Sequence, residues 1–474
     1  MDKDAYLEIN ASQRPALALF EAMGYTYISP ADCDKQRGSR YHVLLRDILR
    51  GQLRRLNRYA YAGAENEFSA ANIERAMEDL DEPLTDGLVR TSEKIYDALL
   101  LGKSYPETVG DGKMLSFNLR YIDGDNPQNN VFHVTEEFAV DSRDRQHNAR
   151  PDIVLFINGI PFAVIECKAP HIPVEEAVGQ MIRNQQAAYI PQLFKFAQFV
   201  VATNKNAVKY ATVGTPKKFW SVWKEQDDEW LQTRLKALVP DRIPTEQDRN
   251  IVSLFSRERV FELIRYFILF DANVKKVCRY QQFFAVREIM KTIAESDEHG
   301  NRRSGVIWHT QGSGKSLTMV MLAKYILMEL KGCHPRVVIV TDRKELDAQI
   351  AATFAHTRLT PARATSGRHL VELVNSARAD VITSIINKFN TVERQEIKNP
   401  SRDIFVLVDE SHRSNYGLMA TRMRSVFPNA CYIGFTGTPL MKSEKNTMAR
   451  FGSLIHKYTI RDGVEDGAIV PLIY

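Results

Sequence analysis

Apolar and polar positions change rhythm part-way along the chain. Through roughly the first 240 residues, stretches of helical period such as RPALALFEAMGY interleave with strand-like runs such as NNVFHVTEEFAV and PDIVLFI. VPDRIPTEQDRN, ending at Asn250, is polar and carries two prolines, so it predicts a domain boundary. RERVFELIRYFILF then reads as a connecting helix. Beyond it, short apolar runs alternate with helical stretches: GVIW, RVVIV, DVITSII, IFVLV, CYIGF. Such runs suit strands buried on both faces of a parallel sheet. The pattern predicts an α/β domain over 1–245, a linker or connecting helix over 246–277, and a doubly wound parallel α/β domain over 278–474.

Length agrees, since 474 residues exceed what one hydrophobic core organises. No apolar run reaches membrane-spanning length, and the charged start MDKDAYLEIN is no secretory signal, so a cytoplasmic protein without membrane contact is expected. Cys33, Cys167, Cys278, Cys333 and Cys431 form no CxxC pair or metal spacing, which predicts reduced thiols. A net charge of +5 decides nothing about nucleic acid by itself. Its placement adds something: Arg46, Arg50, Arg54 and Arg58 recur at i+4, so a helix there would carry a basic stripe. A DNA-facing surface and a solvated face both fit.

In GVIWHTQGSGKSLTM a short strand runs into a glycine-rich loop and then a helix. In such a loop, Thr310 to Ser316, Gly312 and Gly314 let backbone N–H groups turn onto a phosphate, with Thr310 and Ser313 beside them. Lys315 brings charge to the β and γ phosphates, and the Ser316 hydroxyl is placed to hold Mg²⁺. His309 stands where the strict GxxxxGK[ST] pattern has its first glycine. The apolar run IFVLV ends in Asp409 and Glu410. An acid there holds Mg²⁺ through water, and a following Glu polarises the attacking water. In a parallel sheet the loop, TDRKELDAQ, Asp409-Glu410 and TGTP all lie along the carboxyl edge, where ligands bind.

RPDIVLFINGIPFAVIECKAP reads as a hairpin about Asn158-Gly159. Glu166 and Lys168 share one face of an otherwise apolar strand, and Asp152 opens its partner. Burying charge costs several kcal/mol unless it is paired or metal-bound. Phosphodiester hydrolysis supplies a reason: two carboxylates hold a hard divalent ion, and the ammonium positions or activates the water. Register then becomes a test. A two-residue turn pairs 157 with 160 and so 152 with 165, which turns Glu166 away from Asp152. A shared ion therefore requires a one-residue offset, most simply a three-residue loop 158–160, or else a bulge.

HTQGSGKS, DESH and GFTGTP resemble motifs I, II and III of superfamily 2 helicases and translocases, with Ser411 where a DEAH box has Ala. The resemblance implies a RecA-like motor domain using ATP and Mg²⁺. In RYQQFFAV it implies Gln282 as the adenine contact, with Gln281 a rival in register. It also implies that Thr436 and Thr438 link nucleotide state to DNA grip. Asp152 with Glu166-Cys167-Lys168 resembles the PD-(D/E)xK nucleases, implying a restriction-endonuclease-like domain with Mg²⁺ on Asp152 and Glu166. NQQAAY resembles the QxxxY motif beside the active site of one branch of these nucleases, with Gln185 and Tyr189 at i, i+4 on one helix face. The early acidic residue of that family stays open between Glu8 and a position near Gln13.

A nuclease preceding a superfamily 2 motor resembles the restriction subunit of Type I restriction–modification enzymes. That resemblance implies double-stranded DNA as substrate, modification and specificity subunits as partners, and ATP-dependent translocation with cleavage of unmethylated DNA. A nucleotide- and DNA-binding module without turnover, and a helicase–nuclease of DNA repair, are the other readings. No stretch resembles the arginine-bearing motif VI. The expectation is a whole nuclease with the first half of a motor, the second RecA-like domain absent, and no ATP turnover at a motor's rate by this chain alone.

Overall fold

The computed structural model describes residues 7–330, 332–341, 361–376, 379–385, 398–409, 416–437 and 451–469. The chain divides into two compact units, Met1–Ile268 with Asn273–Val277, and Leu269–Ala272 with Cys278–Tyr474. Among the described residues, no helix is long and apolar enough to cross a membrane.

The first unit is built on a six-stranded mixed sheet. Its strands lie in chain order: β1 Thr26–Tyr27, β2 Phe132–Glu136, β3 Ile153–Ile157, β4 Ile160–Cys167, β5 Phe199–Thr203 and β6 Val208–Ala211. The β1–β2 and β4–β5 pairs are parallel, and the other neighbours antiparallel. Its main helices are α1 Arg14–Ala22, α2 Arg46–Leu56, α3 Ala70–Leu80, α4 Val174–Asn184, α5 Glu246–Phe255 and α6 Arg257–Tyr266. Strands β3 and β4 are buried along their whole length, which is why they read as unbroken apolar runs.

Part of the stretch expected as a linker is core. Phe255 of α5 and Phe261 of α6 pack on Phe20, Phe132, Phe162 and Phe199 at ring-centroid separations of 5.9–6.4 Å. Gln247 of α5 accepts from Ser12 Oγ at 2.6 Å and Thr203 Oγ1 at 3.0 Å, and donates to the Ser12 carbonyl. The Thr245 capping box starts α5, so the polar boundary sequence is partly a helix cap.

The β3–β4 turn has two residues, Asn158 at φ 53° and Gly159 at φ 84°. The Asn158 side chain, fully buried, donates to Tyr121 O and Asn130 Oδ1 and accepts from Val131 N–H. A Cβ on Gly159 would lie 2.6 Å from the Leu45 carbonyl oxygen. The expected three-residue loop is therefore not used. The offset comes instead from a bulge between Pro161 and Ala163: Pro161 pairs with Phe156, but Ala163 pairs with Leu155. Phe162 is the extra residue. Its ring packs on Phe132 and Phe255, and its carbonyl accepts from Gln198 N–H at 2.7 Å.

Helix α2 forms, but its basic stripe is largely consumed. Arg50 pairs with Glu74 of α3 and with Asp47, Arg46 reaches Glu74 at 3.4 Å, and Arg58 pairs with Glu67. Of the stripe's residues on the helix, only Arg54 stays exposed without an ion pair among the described residues, and Arg58 lies on the strand Arg58–Tyr61 beyond it.

The second unit holds a seven-stranded sheet, all parallel. Its strands are β7 Gly305–His309, β8 Arg336–Thr341, β9 Pro361–Arg363, β10 Val381–Ile385, β11 Ile404–Val408, β12 Cys431–Thr436 and β13 Ser453–Tyr458. The spatial order is β9-β10-β8-β11-β12-β7-β13. Helix α7, Tyr280–Ala294, precedes the sheet, and α8, Lys315–Glu329, follows β7. This is the parallel α/β arrangement that the short apolar runs predicted.

Candidate active sites

The bulge decides the geometry of the first site. Beyond it Ile165 faces Ile153, and the same register puts Glu166 opposite Asp152 on one face of the sheet. Asp152 Oδ2 accepts from the Cys167 N–H at 2.6 Å. Lys168 Nζ donates to Glu166 Oε1 at 2.8 Å and to the Cys167 carbonyl at 2.8 Å. Glu8 Oε2 lies 3.8 Å from the same Nζ. That contact places Glu8, one of the two positions the sequence left open, beside Lys168. Gln13 instead donates to Glu136 and Glu137 at 3.2 and 3.3 Å. Glu8 opens the π-helix Ile9–Gln13, which Gln247 pins through Ser12. Nothing in the sequence pointed to Gln247, which is distant in the chain and sits where a linker was expected.

The electrostatics are those of a cation site. Burial, then the Glu166 charge, holds the Asp152 carboxyl well above the usual carboxylate range. Burial raises Glu166 as well, against the pull of Lys168. Burial alone would lower Lys168, but the Glu166 carboxylate reverses that and holds it above its usual value. Glu166 is 1% exposed, and its Oε2 has no hydrogen-bond partner among the described residues. A buried, unpaired carboxylate oxygen beside a second carboxylate fits a divalent cation. Among the described residues no three His, Cys, Asp or Glu side chains converge on one metal position. The fit is thus a two-carboxylate grip, which suits Mg²⁺ because that ion keeps several waters.

Gln185 and Tyr189 are not on one helix face. Helix α4 ends at Asn184, with Gln185 as its C-cap. Pro191 starts the next helix and disfavours helical backbone at Ile190, so the chain turns between them. Gln185 donates to Met181 O and accepts from Gly214 N–H at 2.8 Å. Tyr189 stacks on His147 at 5.1 Å, with Arg183 over its ring at 5.4 Å. Neither residue contacts Asp152, Glu166 or Lys168.

The second site lies on the carboxyl edge of the parallel sheet. The glycine-rich loop follows β7, Asp409 follows β11, and Thr436 and Gly437 end β12, on three adjacent strands. Thr341 ends β8 on the same edge; TDRKELDAQ beyond it, Glu410, Ser411 and Thr438 lie outside the described residues. Gly312 has φ 83° and Gly314 φ 89°, both left-handed, so glycine is required for the loop to turn. Lys315 Nζ donates to the His309 carbonyl at 3.4 Å, and a Cβ on Gly437 would lie 3.0 Å from that Nζ. Asp409 is 4% exposed, its N–H bonded to the Val340 carbonyl. Thr310 donates its N–H to Tyr458 O, Ser313 Oγ is buried without a partner among the described residues, and Ser316 stands in the first turn of α8.

His309 departs from the loop pattern for a local reason. It is the last residue of β7, with ordinary backbone, so its position needs no glycine. Its ring is fully buried against His456 of β13, Nε2 to Nδ1 2.9 Å. Burial keeps both rings neutral, lowering His456 to about 4 and holding His309 well below its ordinary value. Gln282 accepts from Arg279 N–H and donates to the Gly314 carbonyl at 3.1 Å, tying α7 to the loop. Both amide atoms of Gln281 are buried without partners among the described residues.

Residues 5–219 match the family described as the Type I restriction enzyme R protein N terminus, and residues 281–474 match the SWI2/SNF2 ATPase family. The HindI Type I restriction enzyme endonuclease subunit of Haemophilus influenzae is 30% identical over 85% of this chain and 41% of its own length. Across both matched regions the chain is similar to the endonuclease subunits of Type I restriction enzymes. Another such subunit, the SsaAORF53P endonuclease subunit of Staphylococcus saprophyticus, is 28% identical over 74% of this chain and 37% of its own. The chain spans less than half the length of the curated relatives it matches. Among solved structures, the UvsW helicase of bacteriophage T4 matches 42% of this chain and 67% of its own at 18% identity, with a TM-score of 0.32. The two compact units of the fold follow the two matched regions, and nucleotide and divalent-metal use follows in general from an ATPase and an endonuclease.

Proposed function

We propose that this chain supplies the nuclease and an ATP-binding motor domain of an enzyme that translocates DNA with ATP and cuts unmethylated double-stranded DNA. It acts in the cytoplasm together with modification and specificity subunits. The observation that carries the reading is the bulge-shifted register, which sets Asp152 and Glu166 side by side with Lys168 on Glu166. Asp152 and Glu166 would hold Mg²⁺, which supplies Lewis acidity at the scissile phosphate. Lys168, with its raised pKa, is protonated at neutral pH. It therefore acts as a fixed charge that orients water and offsets charge building on phosphorus. Glu8 completes the acidic rim, and Gln13 and Gln247 hold the backbone that carries it.

In the second unit the proposed nucleotide is ATP. Thr310, Gly312, Ser313, Gly314 and Lys315 would cradle its phosphates, and Ser316 and Asp409 its Mg²⁺, with Glu410 beside the attacking water. The Gln281 amide is buried without a partner among the described residues, whereas Gln282 reaches the Gly314 carbonyl. Gln282, which touches the loop, is the proposed adenine contact, with Gln281 its rival in register. The test is a cutting assay with the full-length subunit and its partner subunits on circular DNA. Cleavage of unmethylated DNA only with ATP and Mg²⁺ is expected. ATP-independent cutting, or equal cutting of methylated DNA, would overturn the reading.

A further inference from the structure

Beside the carboxylate pair the first unit carries a surface that the chemistry above does not use. A hairpin, Val140–Asp141 paired with Asn148–Ala149, leads into Asp152. Its tip is fixed: Asp144 accepts from Ser142 Oγ at 2.6 Å and from Gln146 N–H, and Arg145 has φ 58°. The turn's one acid is thereby spent on backbone and hydroxyl. Arg143 and Arg145 are exposed, with no side-chain hydrogen bond or ion pair among the described residues. His147, also exposed, stacks on Tyr189 with ring planes 18° apart. Arg143 and Tyr189 line one cleft of about 540 Å³ with Tyr41, His42, Gln185 and Lys195. Past Gln185 a second cleft of about 320 Å³ shares Gly87 and Leu88 with the first. Arg183, over the Tyr189 ring, also acts electrostatically on Glu166.

Asp81, the acid lining the cleft, is paired with Lys195, which leaves the aromatic rings with Arg143 in the cleft and Arg145 on the adjoining turn, a set that suits bases and phosphates together. Duplex DNA offers only its phosphates to such a surface, because its bases are stacked on one another. An unpaired strand offers both. We infer that this groove and the adjoining hairpin turn hold unpaired DNA on its way to the nuclease pair, bases against the His147–Tyr189 stack and Tyr41, and phosphates on Arg143 in the groove and Arg145 on the turn. The inference rests on the nuclease reading above. It also gives Tyr189 and Gln185 a role that their position away from the carboxylates otherwise leaves without one. Tyr189 backs the exposed His147 ring in that stack, and Gln185, anchored to Gly214, is a positioning residue for the turn that carries it.

The test is fluorescence anisotropy on the 474-residue chain in EDTA without nucleotide. The probe is a fluorescein-labelled oligodeoxythymidine of about 20 nucleotides, against a duplex of the same length. The single strand is expected to bind more tightly. Tyr189→Ala should weaken it about tenfold, with Tyr189→Phe near wild type because the stacking face is kept. Arg143→Glu/Arg145→Glu should also weaken it and flatten the log–log salt dependence by about 1.4. Photocrosslinking from 5-iododeoxyuridine should land on the peptides bearing His147 or Tyr189. Wild-type affinity in both the Ala and the Glu variants, a preference for duplex that ignores Tyr189, or crosslinks confined to residues outside the groove would each overturn the inference. Cutting that survives Lys168→Ala in the full-length complex, alongside lost oligonucleotide binding in Tyr189→Ala, would remove the nuclease reading and leave the groove standing.

Discussion

Glu166 faces Asp152 because Phe162 takes up one extra residue in β4. The shared-cation reading depends on this pairing, and the pairing depends on a turn that tolerates no side chain at Gly159. Gly159→Ala would place a Cβ 2.6 Å from the Leu45 carbonyl oxygen in a left-handed backbone. The expected cost is about 1–3 kcal/mol or more. Thermal unfolding should show a fall in Tm of several degrees, whereas an unchanged Tm would mean the hairpin is not anchored on α2 as described.

The raised carboxyls set a pH dependence. A carboxyl whose pKa is higher folded than unfolded stabilises the fold below about pH 4 and loses that stabilisation as pH rises through the folded value. Deprotonation therefore strains the pair at neutral and alkaline pH, where a cation relieves it. Mg²⁺ should raise Tm more at pH 8 than at pH 5.5, and Asp152→Ala should abolish the difference. Calorimetric titration with Mn²⁺ should show proton release that this variant loses. An equal Mg²⁺ shift at both pH values would argue that the two carboxylates share no ion.

His309 offers a test in the opposite direction to consensus reasoning. Replacing it with the glycine of the strict loop pattern would empty a buried ring position and leave His456 without its partner. His309→Gly should lose about 2–5 kcal/mol in urea unfolding of the chain. A variant as stable as wild type would mean the His309–His456 contact adds nothing to the fold.

The motor edge was readable because a parallel sheet fixes geometry. Once GVIW, IFVLV and CYIGF are strands of one such sheet, their carboxyl ends share an edge, and the loop, Asp409 and Thr436 come together. The nuclease residues were readable through misplaced charge: Glu166 and Lys168 stand out on an apolar strand. The means of bringing Asp152 to Glu166 was readable only as a requirement. The bulge at Phe162 is chosen by the rings of Phe132 and Phe255 and the Gln198 N–H, which are distant in sequence. Gln185 and Tyr189 kept helical spacing on paper, but the helix ends at Asn184, before both of them. The Arg46–Arg58 stripe looked free because Glu74 and Glu67 lie on other elements.

The two sites should separate on one side only, and one paired measurement tests the central claim most directly. In the full-length subunit with its partner subunits, DNA-dependent phosphate release and cutting of unmethylated circular DNA are followed together. Lys168→Ala should abolish cutting while ATP hydrolysis continues near the wild-type rate, because Lys168 belongs to the first unit alone. Lys315→Ala should abolish both, since in the proposed function translocation would precede cutting and the lysine would stabilise the transferring phosphoryl group. Loss of ATP hydrolysis in correctly folded Lys168→Ala, or wild-type cutting by Lys315→Ala, would contradict the account.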